Sequence, residues 1–271
     1  MKAYERLKTC KAIVCDLDGT LYLDQKPFDF SFAFLQSVLD SNKNLFYFTN
    51  NSSKSRQSYL NKLKEIGFPA HDDYLITSAD CAISYLKQHH IFPEIYLVST
   101  RDLQNDFTTH GFRLLSNQEV KTDHLPKAVV LTFDTELTYE KIHTCYDLII
   151  KDLPYVATHA DLLCPVSKNI FKPDVGSFIS LFQTATGGKT PVVVGKPTAE
   201  AVNAICKRAK AKPEEIAFIG DRLYTDIRMA EQSNMLAVLV LSGETTKEML
   251  AVSKDQPDIV VDSVKELIPY L

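Results

Sequence analysis

Short apolar runs alternate with longer, mixed-polarity stretches from one end of the chain to the other. Ala12-Ile13-Val14-Cys15, Leu45-Phe46-Tyr47-Phe48, Pro191-Val192-Val193-Val194 and Ile216-Ala217-Phe218-Ile219 have the length and character of buried strands. This pattern predicts strands over 12–16, 45–49, 94–98, 128–133, 155–158, 191–195, 216–220, 236–241 and 258–261. Helices are expected over 30–42, 54–66, 79–89, 138–150, 176–186, 198–210, 223–232 and 263–269, with Ser53, Thr138 and Thr198 as starting caps. The alternation specifies an α/β fold with a mostly parallel sheet. No internal repeat and no low-complexity segment interrupts it.

The order of elements predicts two domains. The stretch up to about residue 78 carries two strand–helix units, and the stretch from about 189 carries three more. The middle has its own strands, helices and turn-rich segments, and Gly187-Gly188-Lys189 reads as a linker at its exit. Segments 1–78 and 189–271 are therefore expected to form one core, with 79–188 inserted as a separate domain.

Composition narrows the function classes. With 271 residues, 45% of them hydrophobic, the chain can bury a substantial core. A net charge of -4 with no block of like charges argues against nucleic acid as a partner. The longest apolar runs, such as Leu236–Leu241, are far too short to cross a bilayer, so no membrane role is expected. The first six residues contain no apolar h-region. Six cysteines without C-x-x-C spacing read as reduced core thiols, and the expected location is the cytoplasm.

The chemistry begins at Asp16-Leu17-Asp18-Gly19-Thr20. Two carboxylates two residues apart on an extended segment point to one side, and Gly19 permits a sharp turn after them. Such a pair can share a hard divalent cation, or divide into an ionised nucleophile and a protonated acid. The motif alone also suits an ordinary turn, and it fails the calcium-loop pattern because Thr stands at position 20. Its context decides. Asp16 ends one expected strand, Thr49-Asn50-Asn51-Ser52 ends another, Gly195-Lys196-Pro197 a third and Gly220-Asp221 a fourth. In an open parallel sheet, ligands bind beyond the carboxyl ends of the strands. Asp16, Asp18 and Asp221 suit Mg2+, Thr49 and the amides after it suit phosphate oxygens, and Lys196 supplies a positive charge. Asp226, near the start of a helix, can face the same metal or its waters. Taken singly, Thr49 could cap a helix, Lys196 could be a solvated lysine, and Asp221 and Asp226 could serve a helix N-terminus. Four complementary groups at four strand ends favour the site.

This combination resembles the haloacid dehalogenase (HAD) superfamily of phosphatases. The matching residues are Asp16-x-Asp18-Gly19-Thr20, Thr49, Lys196 in Gly-Lys-Pro, and Gly220-Asp221-x-x-x-x-Asp226. Phe48-Thr49-Asn50-Asn51-Ser52, Ala157-Thr158-His159-Ala160-Asp161 and Val194-Gly195-Lys196-Pro197 are similar to the 4-nitrophenylphosphatase and pyridoxal-phosphatase (NagD-like) branch. The resemblance implies a Rossmann-like core with an inserted α/β cap of type C2. It implies a Mg2+-dependent phosphatase acting on small phosphorylated metabolites through an aspartyl phosphate. By position, Asp16 is the nucleophile and Asp18 the general acid and base. Asp16, the Asp18 carbonyl, Asp221 and Asp226 serve the metal. Thr49, Asn50, Asn51 and Lys196 hold the phosphoryl group. His159 and Asp161 are the expected specificity residues of the cap, and a homodimer fits the branch. Asp174 is expected to cap the next helix, with a place facing the crevice as the alternative. Ile170-Phe171 depart from a stretch usually richer in glycine. The alternatives are a phosphomutase or phosphotransferase, which a small helical cap would suit better, and a non-catalytic phosphometabolite binder.

Two other signals do not form sites at the level of sequence. Gly187-Gly188-Lys189-Thr190 lacks the first P-loop glycine, since Gln183 stands there. His159, Asp161 and Cys164 lack a fourth ligand at a standard zinc spacing. His89-His90 are expected to end a helix.

Overall fold

The computed structural model describes residues 2–24, 26–122, 124–167 and 170–271. The chain divides into two compact units. The first comprises Met1–Thr49, Leu60–Ile76 and Lys196–Leu271, the second Asn50–Tyr59 and Thr77–Gly195.

The first unit is built on a six-stranded sheet. Its order is Ile259–Val261, Leu236–Val240, Ile216–Gly220, Ala12–Cys15, Asn44–Thr49 and Leu75–Thr77. The four pairings from Ile259–Val261 through to Asn44–Thr49 are parallel. Ala12–Cys15 and Ile216–Gly220 are buried at every position, which explains their unbroken apolar sequence: parallel strands lie between layers and show water neither face. The first strand lies centrally. From it the chain moves to Asn44–Thr49 on one side and returns much later to Ile216–Gly220 on the other. That reversal opens a crevice at the carboxyl ends of the strands. Helix Asp29–Asp40 buries Ser31, Phe34, Leu35 and Val38, and packs on the C-terminal 3-10 segment Val264–Tyr270.

The second unit carries its own parallel sheet, in the order Val192–Val193, Tyr155–Ala157, Val129–Leu131, Glu94–Val98 and Arg113–Leu114. Val98, Val129, Leu131, Cys145, Leu148, Ala157, Val175 and Phe182 form the centre of its core. A two-stranded antiparallel sheet pairs Leu163–Ser167 with Ile170–Pro173. The expected insert, 79–188, lies inside this unit, which extends further to include 50–59, 77–78 and 189–195.

One expectation about the core is corrected. The pattern assigns the run 191–195 to the same core sheet as Ala12–Cys15. Only Val192–Val193 is extended, and it pairs with Tyr155–Ala157 at the edge of the second sheet. An apolar run specifies burial and direction but not its neighbour, so the pattern could not distinguish the two sheets. The helix expected over 223–232 opens with a π-turn, Leu223–Ile227, before Arg228–Gln232 continues as α-helix. Helices Lys2–Thr9, Arg101–Thr109, Asn117–Lys121 and Lys247–Val252 went unread in the sequence. All six cysteines are free, and four are buried.

Candidate active site

Asp16 follows the central strand directly, and Asp221 follows the strand beside it. Lys196 joins Asp16 to Asp226 through space. Its Nζ donates to Asp16 Oδ1 at 2.5 Å and to the Phe48 carbonyl at 3.2 Å, and it pairs with Asp226 Oδ1 at 2.8 Å. The ammonium is buried, with the Phe48 and Phe218 ring centroids 5.3 and 5.4 Å away. One carboxylate oxygen from each of Asp16, Asp221 and Asp226 lies within 4.8 Å of the other two.

The local sequence makes this gathering possible. Gly19 has φ +88, and a Cβ placed there would stand 2.3 Å from Asp221 Oδ2, so only glycine lets the turn after Asp18 approach that carboxylate. The Gly19 carbonyl accepts from Ser242 Oγ at 2.8 Å. Asp221 Oδ2 accepts the Glu244 amide at 2.7 Å, and Arg222 pairs with Glu244 at 2.9 Å. The π-turn brings Asp226 back toward the strand end, where its Oδ2 accepts the Arg222 amide at 3.2 Å.

Asp18 is half-buried and accepts from Tyr22 Oη at 3.4 Å. Lys62 Nζ lies 3.9 Å from the Tyr22 ring centroid. Ser242, Glu244, Tyr22 and Lys62 were not singled out in the sequence. The signal for the first two was present, since Ser242-Gly243-Glu244-Thr245 follows another apolar strand.

The electrostatics are those of an acid cluster built around one cation. Burial pushes the Asp16 carboxyl well above its ordinary range, and Asp226 and Asp221 add to this against the pull of Lys196. Burial likewise raises Asp221 to about 7, partly offset by Arg222. Asp18 is also raised by burial, partly offset by Lys62 and Arg222. Burial works against the charge on Lys196, but Asp16 and Asp226 outweigh it and hold the ammonium above its usual range. Asp221 Oδ1 is buried and has no hydrogen-bond partner among the described residues. Clustered hard oxygen donors, one of them orphaned, fit a hard divalent cation, which would return the raised carboxyls of Asp16 and Asp221 to their charged forms.

The sequence-derived candidates thus fall into two groups. Asp16, Asp18, Thr49, Lys196, Asp221 and Asp226 belong to the first unit, with the buried Thr49 closing the strand next to Asp16. Asn50, Asn51, His159 and Asp161 belong to the second. There Asn50 Nδ2 donates to the two oxygens of Asp161 at 3.3 and 3.4 Å, and its carbonyl accepts from Ser78 Oγ. Asn51 Oδ1 accepts from the amide and hydroxyl of Ser53 at 2.9 and 2.8 Å. His159 and Asp161 are buried, and the Asp161 amide donates to His159 Nδ1 at 3.4 Å.

Comparison with known proteins identifies the family. A family model described as haloacid dehalogenase-like hydrolase matches residues 13–113, and a second, HAD-hydrolase-like, matches 193–267. The chain belongs to the haloacid dehalogenase-like hydrolases. Within that family its relatives are phosphatases. The 4-nitrophenylphosphatase of Thermotoga maritima superposes with a TM-score of 0.90 at 34% identity, over 97% of this chain and 98% of that one. An acid sugar phosphatase of Staphylococcus saprophyticus is 28% identical over 98% of this chain and 99% of its own length. The 5'-nucleotidase YutF of Bacillus subtilis is 24% identical over 98% and 100%.

Proposed function

We propose that this hydrolase cleaves small, soluble phosphate monoesters through an aspartyl phosphate on Asp16. The observation that carries the reading is the buried Lys196 ammonium held between Asp16 and Asp226, with Asp221 alongside, at the carboxyl ends of neighbouring parallel strands.

The chemistry follows from the groups. Asp16 attacks phosphorus, and the bond to the leaving oxygen breaks as Asp18 delivers a proton to it. The raised carboxyl of Asp18 suits that first role, because an acid must hold its proton until the leaving group needs it. Asp18 then takes a proton from water as that water attacks the aspartyl phosphate, which frees inorganic phosphate and restores Asp16. Lys196 fixes the Asp16 carboxylate and offsets charge on the equatorial oxygens, helped by Thr49 and the amides that follow it. Asp16, the Asp18 carbonyl, Asp221 and Asp226 would hold Mg2+, which when bound supplies charge neutralisation for the phosphate and the nucleophile. Uncatalysed monoester hydrolysis is so slow that accelerations of up to ~10^21 are required, and electrostatics arranged in advance is the natural source of much of that.

The second unit acts as the cap in this reading. His159 and Asp161 would influence the choice of leaving group by setting the course of the loop they stabilise. The sugar phosphatase and nucleotidase relatives support a phosphorylated metabolite as substrate.

Release of inorganic phosphate from 4-nitrophenyl phosphate tests the proposal. Turnover is expected with Mg2+ and none with a chelator. Asp16→Asn should lose at least a thousandfold in kcat while keeping its far-UV circular dichroism and its unfolding temperature. Turnover by Asp16→Asn at the wild-type rate would remove Asp16 from the nucleophile role.

A further inference from the structure

The second unit holds a group of side chains that take no chemical step in the proposed reaction. His159, Asp161 and Asp174 are each at least nine-tenths buried, and one ligand atom from each lies within 4.8 Å of the other two. His159 Nε2 has no hydrogen-bond partner among the described residues. It stands 3.6 Å from Asp174 Oδ1, and His159 Nδ1 stands 3.7 Å from Asp161 Oδ2. A buried ring nitrogen left without a hydrogen bond keeps its desolvation penalty uncompensated.

We infer that His159, Asp161 and Asp174 form a second metal site, for a divalent transition-metal ion of the zinc class. The donor chemistry sets the class, because an imidazole nitrogen beside two carboxylates suits zinc and its neighbours better than magnesium. The spacing separates this account from its metal-free rival, an imidazolium shared between two acids. Contacts of 3.6 and 3.7 Å are too long for charged hydrogen bonds, which close to about 2.7–2.9 Å. The 3.6 Å between His159 Nε2 and Asp174 Oδ1 is near the ~3.4 Å edge of a tetrahedron with metal–ligand bonds of about 2.1 Å.

The surroundings hold the donors in place. Asp174 Oδ1 accepts the Val175 amide at 2.7 Å at the start of helix Val175–Ala185, and Asp161 accepts from Asn50 Nδ2. The loop bearing His159 and Asp161 is tied to the same helix end. The Gly176 amide donates to the Asp161 carbonyl at 2.9 Å, and the Asp174 amide donates to the Leu162 carbonyl at 2.9 Å. A Cβ on Gly176 would stand 2.3 Å from the Ala160 carbonyl oxygen, so glycine is what permits this approach. The third ligand lies thirteen residues beyond Asp161, outside any standard zinc spacing, and the sequence set Cys164 rather than Asp174 beside His159 and Asp161. Cys164, the partner that spacing suggested, instead lies 3.7 Å from Asn51 Nδ2.

The test uses the full chain loaded with Zn2+ alone, desalted and analysed for bound metal. Asp221→Asn serves as the parent, because it weakens the acid cluster of the first unit, which contains no imidazole. One equivalent of zinc is expected to remain in the parent and to be lost when His159→Gln or Asp174→Asn is added. Asn at 174 keeps an oxygen for the Val175 amide, so that variant decides the matter should His159→Gln fail to fold. X-ray absorption on the zinc-loaded parent, which needs no change at these three residues, should show one imidazole in the first shell. Three results would each overturn the site: no retained zinc, zinc retained equally in a folded variant (as binding at exposed histidines would give), or a shell without imidazole.

Discussion

Lys196 is the residue on which the acid cluster depends. Replacing it with Met would leave Asp16 and Asp226 buried without their ammonium, while Asp221 stays close. Removing one partner of a buried ion pair typically costs about 3–5 kcal/mol, because the charge left behind is uncompensated. Lys196→Met should therefore lower the urea midpoint and abolish phosphate release, and Mg2+ should restore part of the stability but not the turnover. An unfolding midpoint equal to wild type in chelator would mean that the carboxyls do not need the lysine. Gly19 tests the same cluster from the backbone. In Gly19→Ala the added methyl meets Asp221 Oδ2 in a conformation with positive φ, so Asp221 must move. The expected result is at least a tenfold loss of Mg2+ affinity by calorimetry in a protein that still folds. The approach of Lys196 to Asp16 was legible in the sequence, since both follow apolar runs. The close approach of Gly19 to Asp221 was not, because nothing local to the DxDG segment encodes a neighbour two hundred residues away.

The strands of the first sheet were readable because full burial leaves an unbroken apolar run, as in Ala12–Cys15. Helix Arg101–Thr109 was not, since its buried residues are only Leu103 and Phe107, a single i,i+4 pair in a polar stretch. Val192–Val193 shows the other limit, an apolar run whose sheet is chosen by tertiary contact. The start of helix Val175–Ala185 was legible, because Asp174 precedes it and Oδ1 takes the Val175 amide. Asp174→Ala should cost about 0.5–2 kcal/mol through loss of that cap. Urea unfolding of the apo protein measures it, and a ΔΔG near zero would show that the helix start is held by its backbone contacts with Asp161 and Leu162 instead. The second role of Asp174, beside His159, is invisible locally because the two residues belong to different elements.

At the scale of the whole molecule, metal, proton and stability are linked through the same carboxyls. In the metal-free protein, burial raises Asp221 to about 7, against about 4 for an unfolded aspartate. The folded state then binds a proton that the unfolded state releases in that interval. Its stability from this group is therefore fullest at the acid end of the interval and declines as pH rises toward and past 7. A divalent cation competes with that proton for the same oxygens. Mg2+ is thus expected to raise the unfolding temperature more at pH 8 than at pH 6, and the difference should shrink in Asp221→Asn. Thermal scans in Mg2+ and in chelator at the two pH values measure the effect. A larger stabilisation at pH 6 would place the cation on groups other than this cluster, whereas the expected sign would tie the acids beyond the parallel strands to metal binding without reference to turnover.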